Sequence, residues 1–305
     1  MRTIPSLGMR PSRLVAHPPG LDLPFTTITV LDPAVTLTRT TPATYFGADG
    51  LLHTAAAGSA RLDDDPVTLA PLGLLIEAAR ANLWYPSTGS IGDPESGLTR
   101  TPNAGLAPDG TTASTLVTAS VAGKSLEFYR TATNNTTYTF SVYAKAGTAA
   151  TFTAWDYIHL AIGTVNLANG TAPAGVTMKP CGNGFVRCSW SVVSITTAVT
   201  FRIYSASGGS FYLWGAQIEA GTEASSYIAT SGSAIARAAD VATISLPYAS
   251  DLLIQDRAGA AWSRGVPAGI YTLTPRSGQT HIARLRAWPA GRLSEVQQSL
   301  LQVAA

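Results

Sequence analysis

The residues best suited to bind a ligand are aromatic side chains near the middle of the chain, in the run Trp155-Asp156-Tyr157. A sugar ring presents a face of C–H groups that stacks on a flat aromatic ring, and a carboxylate accepts hydrogen bonds from hydroxyl groups. Turn-forming segments surround this run, which favours exposure of the two rings. We therefore predict a glycan-binding site at Trp155, Asp156 and Tyr157, with packing in the core as the alternative for either ring.

The densest acidic cluster is Asp63-Asp64-Asp65, directly before Pro66. Three carboxylates can bind calcium, which prefers oxygen ligands. Adjacent residues of an extended chain point to opposite sides, however, so a shared site requires a tight turn. We favour turn chemistry, in which aspartate oxygens accept hydrogen bonds from nearby backbone N–H groups, and keep calcium as the alternative.

The sequence contains few residues that could carry out catalysis. Four histidines are present, and no HExxH, GxSxG or phosphate-binding Walker motif occurs. No pair of acids has a recognisable arrangement for glycoside hydrolysis. We predict a protein that is not an enzyme and has no catalytic residues, no cofactor and no metal. A polysaccharide depolymerase or esterase is the less favoured alternative.

The two cysteines, Cys181 and Cys188, are too few to form a zinc site without nearby histidines. Alternation along the following strand places Cys188 on the same face as Val186 and Trp190. We predict that Cys188 is a small buried apolar residue. The turn at residues 182–184 leaves a disulfide with Cys181 open as the alternative.

The composition limits the class of protein and of partner. The 305 residues carry 20 Lys and Arg against 18 Asp and Glu, a net charge of +2, and only 12% are charged. This near balance and the lack of a basic run argue against nucleic-acid binding. A hydrophobic content of 46% argues against disorder. The sequence predicts neither a membrane span nor a secretory signal.

Short alternating runs between turn-forming residues predict an all-β protein in three segments. Residues 1–82 are rich in proline, which breaks helices and confines strands to edges, so we predict an extended arm that docks on the next domain or a neighbouring subunit. Residues 83–236 predict a jelly-roll β-sandwich. Residues 237–305 predict a small β-rich assembly segment with a short terminal helix, which Ser294 caps.

Several strings, taken in their order and spacing, resemble the minor structural proteins of tailed bacteriophages. The most specific are Leu213-Trp214-Gly215-Ala216-Gln217-Ile218-Glu219, Ser226-Tyr227-Ile228 and Arg237-Ala238-Ala239-Asp240. Other matching strings lie at residues 36–39, 43–46, 49–52, 61–66, 73–77, 107–111, 138–145, 184–188 and 282–294. The resemblance covers residues 22–245 and, more loosely, the C-terminus.

The resemblance implies a fold and a function, which we state as expectations. Proteins of this kind are head fibres, tail fibres, spikes or minor tail proteins, with a jelly-roll domain similar to carbohydrate-binding modules. The resemblance implies a virion location after synthesis in the host cytoplasm, other virion proteins as partners, a homotrimer and contact with a host-surface glycan. A dedicated glycan-binding receptor protein for host attachment is the alternative.

Arginines in or near the matching strings are predicted to make assembly contacts. Arg39, Arg61 and Arg237 each carry a guanidinium that forms forked hydrogen bonds to carboxylates or carbonyls, which suits an interface with few charges. Gly73 and Gly215 allow backbone conformations or close approaches that other residues do not. These roles concern folding and docking, and no catalytic residue comes with the motifs.

Overall fold

The computed structural model describes residues 19–206 and 208–303, and residues 1–18 lie outside the described residues. The regular secondary structure of the described residues consists almost entirely of short strands, so the all-β prediction is confirmed. The strands, in chain order, are β1 (Leu21–Leu23), β2 (Val35–Thr38), β3 (Ala43–Phe46), β4 (Leu52–Ala55), β5 (Leu62–Asp64), β6 (Pro71–Leu75), β7 (Arg80–Asn82), β8 (Asp93–Pro94), β9 (Leu98–Leu106), β10 (Thr112–Ala119), β11 (Ser125–Thr131), β12 (Thr137–Ala146), β13 (Thr151–Asp156), β14 (Leu160–Asn166), β15 (Val176–Pro180), β16 (Val186–Val193), β17 (Ala198–Ser205), β18 (Gly209–Ala220), β19 (Ile235–Arg237), β20 (Val241–Leu246), β21 (Ser250–Asp256), β22 (Gly259–Val266), β23 (Gly269–Thr272), β24 (His281–Ile282) and β25 (Arg284–Pro289). A 3₁₀ turn covers Gly182–Gly184, and one α-helix, α1 (Glu295–Val303), follows β25.

The central part of the chain forms a β-sandwich of two antiparallel sheets. One sheet has six strands in the order β15-β16-β12-β18-β10-β9, and the other has five in the order β14-β13-β17-β11-β8. Alternate residues of these strands meet between the sheets, where Phe140 lies 4.5 Å from Phe128 and 4.8 Å from Trp190, measured between ring centroids. The period-2 alternation read from the sequence therefore places these aromatic rings in one core.

Both cysteines are buried and free, as predicted for Cys188. Cys188 and Trp190 face the sandwich core together from β16. Burial in this apolar setting raises the pKa of Cys188 to about 12 and that of Cys181 to about 11. The thiols are therefore protonated near neutral pH, which suits a packing role rather than a nucleophilic one.

The two ends of the chain fold together into a second unit, which we call the terminal module (residues 19–82 and 237–303). Strand β1 pairs with β25, β2 with β20, and β6 with β24. A continuous apolar core joins the two segments; its buried members are Leu23, Phe25, Val35, Leu74, Ala242, Ile244, Leu246, Leu252, Ile254, Leu273, Ile282, Leu285 and Ala287. The terminal module thus has its own hydrophobic core.

The prediction of an extended arm is wrong for the described residues 19–82. Their apolar side chains are buried against the C-terminal segment of the same chain, about 200 residues away in sequence, as shown by the Val35–Ile244 register. Proline content and short alternation describe only local conformation, and they do not indicate which distant segment completes a sheet. Burial of this segment therefore requires no neighbouring subunit.

The terminal helix is confirmed, together with its cap. The Gln297 backbone N–H donates to Ser294 Oγ (3.3 Å), and the Ser294 N–H donates to Gln297 Oε1 (2.9 Å). This reciprocal pair satisfies N–H groups that the first turn leaves without helical partners. The Trp262 indole N–H donates to the Gln298 carbonyl and ties α1 to β22 (3.2 Å). Within the described ranges, no helix has the length and apolar character needed to cross a membrane.

Candidate functional site

The solvent-facing side of the five-stranded sheet carries a row of side chains that includes Trp155. The register places Trp155 of β13 opposite Arg202 of β17, and Arg202 opposite Glu127 of β11. Arg202 donates from Nε to Glu127 Oε2 (2.7 Å), and its guanidinium carbon lies 4.8 Å from the centroid of the Trp155 ring. The row combines an apolar ring, a forked donor and a carboxylate on three adjacent strands.

Three tyrosines extend this row. The Tyr204 ring lies 6.3 Å from the Trp155 ring at a steep angle. Tyr129 lies opposite Thr200 in the register, and the Tyr157 N–H donates to the Thr200 carbonyl (3.1 Å), so both lie beside Thr200. Tyr157 is 59% exposed and Tyr129 is 48% exposed. We call this surface, formed by Glu127, Tyr129, Trp155, Tyr157, Arg202 and Tyr204, the aromatic face.

Asp156 does not belong to the aromatic face. Its side chain is fully buried on the core side of β13, and it accepts hydrogen bonds from the backbone N–H groups of Ile158 (2.8 Å) and His159 (2.7 Å). Its second oxygen lies 2.9 Å from Nδ1 of the exposed His159. Asp156 therefore shapes the turn after β13, and the prediction that it contacts a glycan is corrected because adjacent strand residues face opposite sides.

Sequence reasoning missed most of the aromatic face. Arg202 and Tyr204 alternate with the buried Phe201 and Ile203, which indicates an outward position on β17. That signal identifies a face of one strand, but it does not indicate that β17 lies between β13 and β11. Only the strand order brings Tyr129 of β11 near Trp155 of β13.

A second cluster of functional groups lies where the terminal module meets the sandwich. Asp240 accepts hydrogen bonds from Arg39 Nη1 (2.7 Å), from Arg61 Nη2 and from the Glu77 backbone N–H (2.9 Å). Arg237 completes the cluster, with its guanidinium 3.4 Å from the Glu77 carboxylate. We call these five side chains, Arg39, Arg61, Glu77, Arg237 and Asp240, the junction cluster.

Glu77 connects the two units of the protein. Its carboxylate accepts hydrogen bonds from Arg61 Nη1 (2.7 Å) and from the Ser226 hydroxyl (2.6 Å), and Ser226 belongs to the segment that follows the sandwich. Burial alone would raise the pKa of Glu77, but Arg237, Arg61 and the Ser226 hydrogen bonds outweigh burial and lower the pKa from 4.5 to about 2. Glu77 is therefore charged at every ordinary pH.

The junction cluster corrects the prediction that Arg39, Arg61 and Arg237 make assembly contacts. Each of the three side chains is at most 3% exposed. They form the forked hydrogen bonds expected of arginine, but the carboxylates and carbonyls belong to the same chain. Because the three guanidinium groups are buried in the folded chain, they are not available to a neighbouring subunit.

Acid is expected to destabilise the junction through Glu77. Because the folded-state pKa lies below the ordinary 4.5, the stabilisation is present above pH 4.5 and is lost as the pH falls toward 2. The shift corresponds to about 3 kcal/mol of unfolding free energy. Urea unfolding of the wild type and of Glu77→Gln between pH 5 and 2.5 should show a flatter pH dependence in the variant. Glu223→Gln, at an exposed position, is the matched control, and equal slopes in all three proteins would contradict the assignment.

The three carboxylates of the acidic cluster, Asp63, Asp64 and Asp65, do not converge on one site, and their surroundings differ. Asp63 accepts a hydrogen bond from the Phe46 N–H (2.7 Å) and lies 2.7 Å from His281 Nε2, whereas Asp65 accepts from the N–H of Thr68 (2.9 Å). Burial and the neighbouring carboxylates raise the pKa of Asp64. Over residues 19–206 and 208–303 no group of three such side chains is placed to hold a metal ion. Turn chemistry is therefore confirmed at Asp65.

Comparison with known proteins finds distant similarity among solved structures. No protein-family model matches the chain, and no curated protein matches it. Among solved structures, the chain is similar to the CBM22-1 and GH10 modules of the N-terminal endo-1,4-beta-D-xylanase 10B of Clostridium thermocellum complexed with xylohexaose, at 18% identity and a TM-score of 0.29. The match covers 50% of this chain and 30% of that chain. A structural similarity with a TM-score of 0.29 supports no conclusion about the function of this chain.

Proposed function

We propose that this protein is a glycan-binding structural subunit of a bacteriophage particle, and that the aromatic face is its binding surface. The observation that supports this proposal is the cluster of partly exposed rings around the Arg202–Glu127 pair on one face of the five-stranded sheet. Large aromatic side chains usually lie in the core, so several on one solvated sheet face point to recognition.

The groups of the aromatic face match the chemistry of a neutral sugar. The rings of Trp155 and Tyr157 offer apolar surfaces to C–H groups, and Arg202 and Glu127 offer donors and an acceptor to hydroxyls. The Glu127 carboxylate is neutralised by Arg202, so the face carries no net charge to favour an acidic glycan. Glu127 is committed to this ion pair, which suits binding rather than proton transfer.

Replacement of an aromatic ring is expected to weaken glycan binding at least about tenfold, which corresponds to about 1.4 kcal/mol. Trp155→Ala and Tyr157→Ala test two rings of the aromatic face, because each removes an apolar stacking surface. Tyr248→Ala is the matched control, since Tyr248 is similarly exposed (44%) but belongs to the terminal module. A glycan array identifies the ligand, and calorimetric titration then measures each dissociation constant.

Two results of this experiment would contradict the proposal. The first is an array on which the folded wild-type protein binds no glycan. The second is equal affinity in the wild type, Trp155→Ala and Tyr157→Ala. Circular dichroism of each variant establishes that the sandwich is intact before binding is compared.

The virion role, with other virion proteins as partners and a homotrimeric assembly, is supported by the ordered motifs of the sequence. Among the motif residues, Arg61 donates to the Ser226 hydroxyl and Thr44 to the Tyr227 carbonyl, which links the terminal module to the segment after the sandwich. The Arg61–Asp240 pair joins the two segments of the terminal module. Because these motif residues make contacts within the fold, the motifs specify an architecture, which is consistent with a structural subunit. Light scattering of the purified protein tests the trimer, and labelling of assembled particles with an antibody to this chain tests the location.

A dedicated receptor protein for host attachment is the second candidate, and the aromatic face favours it if glycan binding is strong. Its decisive measurement is competition, in which the purified protein blocks particle adsorption to host cells and Trp155→Ala does not. Release of reducing ends from host polysaccharide would instead indicate a depolymerase and overturn the non-enzymatic proposal.

A further inference from the structure

One row of side chains crosses the solvent-facing side of the five-stranded sheet from edge to edge. The strand registers pair Ala161 of β14 with Trp155 of β13, Trp155 with Arg202 of β17, Arg202 with Glu127 of β11, and Glu127 with Asp93 of β8. Directly paired residues of neighbouring antiparallel strands lie on the same face, so the five side chains form a line. We call this line the cross-strand row.

The cross-strand row is longer than one sugar. Because neighbouring strands lie about 4.8 Å apart, a row across five strands is about 19 Å long. A pyranose unit of an extended chain is about as long as one strand spacing, so the row matches a chain of about four units. A single sugar stacked on Trp155 would therefore leave Glu127 and Asp93 without contact.

Aromatic side chains border the cross-strand row on both sides. On β17, Thr200 and Tyr204 lie two residues before and two residues after Arg202, and all three share the outward face. Tyr129 and Tyr157 lie beside Thr200, on one side of the row, and Tyr204 lies on the other side. A glycan chain that lies across the strands would therefore be contacted by rings on both sides.

Both ends of the cross-strand row are open, because β14 and β8 are the edge strands of the sheet. Ala161 of β14 is exposed and carries only a methyl group, so it does not block a chain that continues past Trp155. At the other end, the exposed Asp93 carboxylate can accept hydrogen bonds from sugar hydroxyls. A surface that is open at both ends accommodates the interior of a polymer, whereas a closed pocket selects a chain end.

The charges of the cross-strand row favour a neutral ligand over an acidic one. Glu127 is paired with Arg202, and Asp93 adds a further carboxylate at the β8 end. Arg130, the cation that interacts electrostatically with Asp93, donates from Nε to the Leu83 carbonyl (2.8 Å) and is directed away from the row. The excess carboxylate would repel an acidic sugar and leaves neutral hydroxyls as the matching groups.

We propose that the aromatic face, together with Asp93, binds an internal stretch of a neutral polysaccharide whose equatorial linkages keep the chain extended. The chain lies along the cross-strand row, with one end of the bound stretch at Trp155 and the other at Asp93. Axial linkages coil a chain, and a coiled chain does not follow a straight row. This inference rests on the proposed glycan-binding function and adds the length, linkage and direction of the ligand.

Calorimetric titration of the full chain with cello-oligosaccharides from cellobiose to cellohexaose tests the length of the ligand. We expect the affinity to rise at least about tenfold from cellobiose to cellotetraose and then to level off. Borohydride reduction of the terminal sugar of cellohexaose should leave the affinity unchanged, because an internal stretch does not require a chain end. Beta-linked mannohexaose, which is also extended, is the second probe, and maltohexaose, with axial linkages, should bind at least about tenfold more weakly than cellohexaose.

Asp93→Ala tests the direction of the bound chain. Asp93 contacts only a ligand long enough to reach β8, so this variant should bind cellohexaose at least about fivefold more weakly and cellobiose as the wild type does. Trp155→Ala should weaken the binding of both. Glu223→Ala, which removes an exposed carboxylate outside the five-stranded sheet, serves as the control and should change neither affinity.

The results that would overturn this inference differ from those that would overturn the proposed function. Equal affinity for cellobiose and cellohexaose, maltohexaose binding as tight as that of cellohexaose, or unchanged cellohexaose binding by Asp93→Ala would each contradict a chain along the cross-strand row. A wild-type protein that binds neither cellohexaose nor mannohexaose, but binds other glycans on the array, would overturn the inference and leave the proposed function standing. A protein that binds no glycan at all would contradict both.

Discussion

Asp240→Asn is expected to lower the free energy of unfolding by about 3–5 kcal/mol, the cost of breaking a buried ion pair by removing one partner. Asp240 is the carboxylate that Arg39 and Arg61 share, and both guanidinium groups are buried with it. The amide keeps the shape of the carboxylate but not its charge. Three buried guanidinium groups would then face Glu77 as the single remaining carboxylate of the junction cluster.

Urea unfolding at pH 7, followed by tryptophan fluorescence and circular dichroism, measures this loss. The matched control is Asp22→Asn, which removes a carboxylate from a partly exposed surface pair with Arg284 (2.7 Å). Exposed pairs contribute about 0–1 kcal/mol, so the control should unfold almost as the wild type does. Equal stability of Asp240→Asn and wild type would show that the junction cluster does not hold the terminal module together.

Gly73→Ala is expected to destabilise the terminal module by about 2–5 kcal/mol, through backbone strain and steric overlap together. Gly73 lies in β6 with a φ of +105°, which side-chain-bearing residues rarely adopt. An added Cβ would also lie 2.3 Å from the carbonyl oxygen of Ile282 in the neighbouring strand β24. The backbone on both sides is fixed by strand pairing, so β6 and β24 would have to separate.

Gly58→Ala separates the two contributions to this effect. Gly58 has a φ of +73°, but an added Cβ would have no neighbour within 4 Å. This control should therefore show the conformational cost alone, about 1–2 kcal/mol. Thermal unfolding of both variants gives the comparison, and a Gly73→Ala protein no less stable than Gly58→Ala would contradict the close approach of β24.

The sequence predicts only some of the residues of the aromatic face. Trp155 and Tyr157 could be singled out because they lie on the same side of an alternating run next to turn-forming residues. The same alternation puts Asp156 on the opposite side, where its carboxylate is buried. Tyr129 and Arg202 join the surface only through the order of β13, β17 and β11, which alternation within one strand does not determine.

Local chemistry in the sequence determined the all-β class, the sandwich core of alternating aromatics, and the helix that Ser294 caps. These features depend on residues a few positions apart, so they can be read from spacing alone. Tertiary structure alone decided that the N-terminal segment completes the sheets of the C-terminal segment, and that Arg39 and Arg61 meet Asp240 across 201 and 179 residues. Such contacts form where burial of apolar surface brings distant strands together, and the charged groups then pair with whichever partners that packing places beside them.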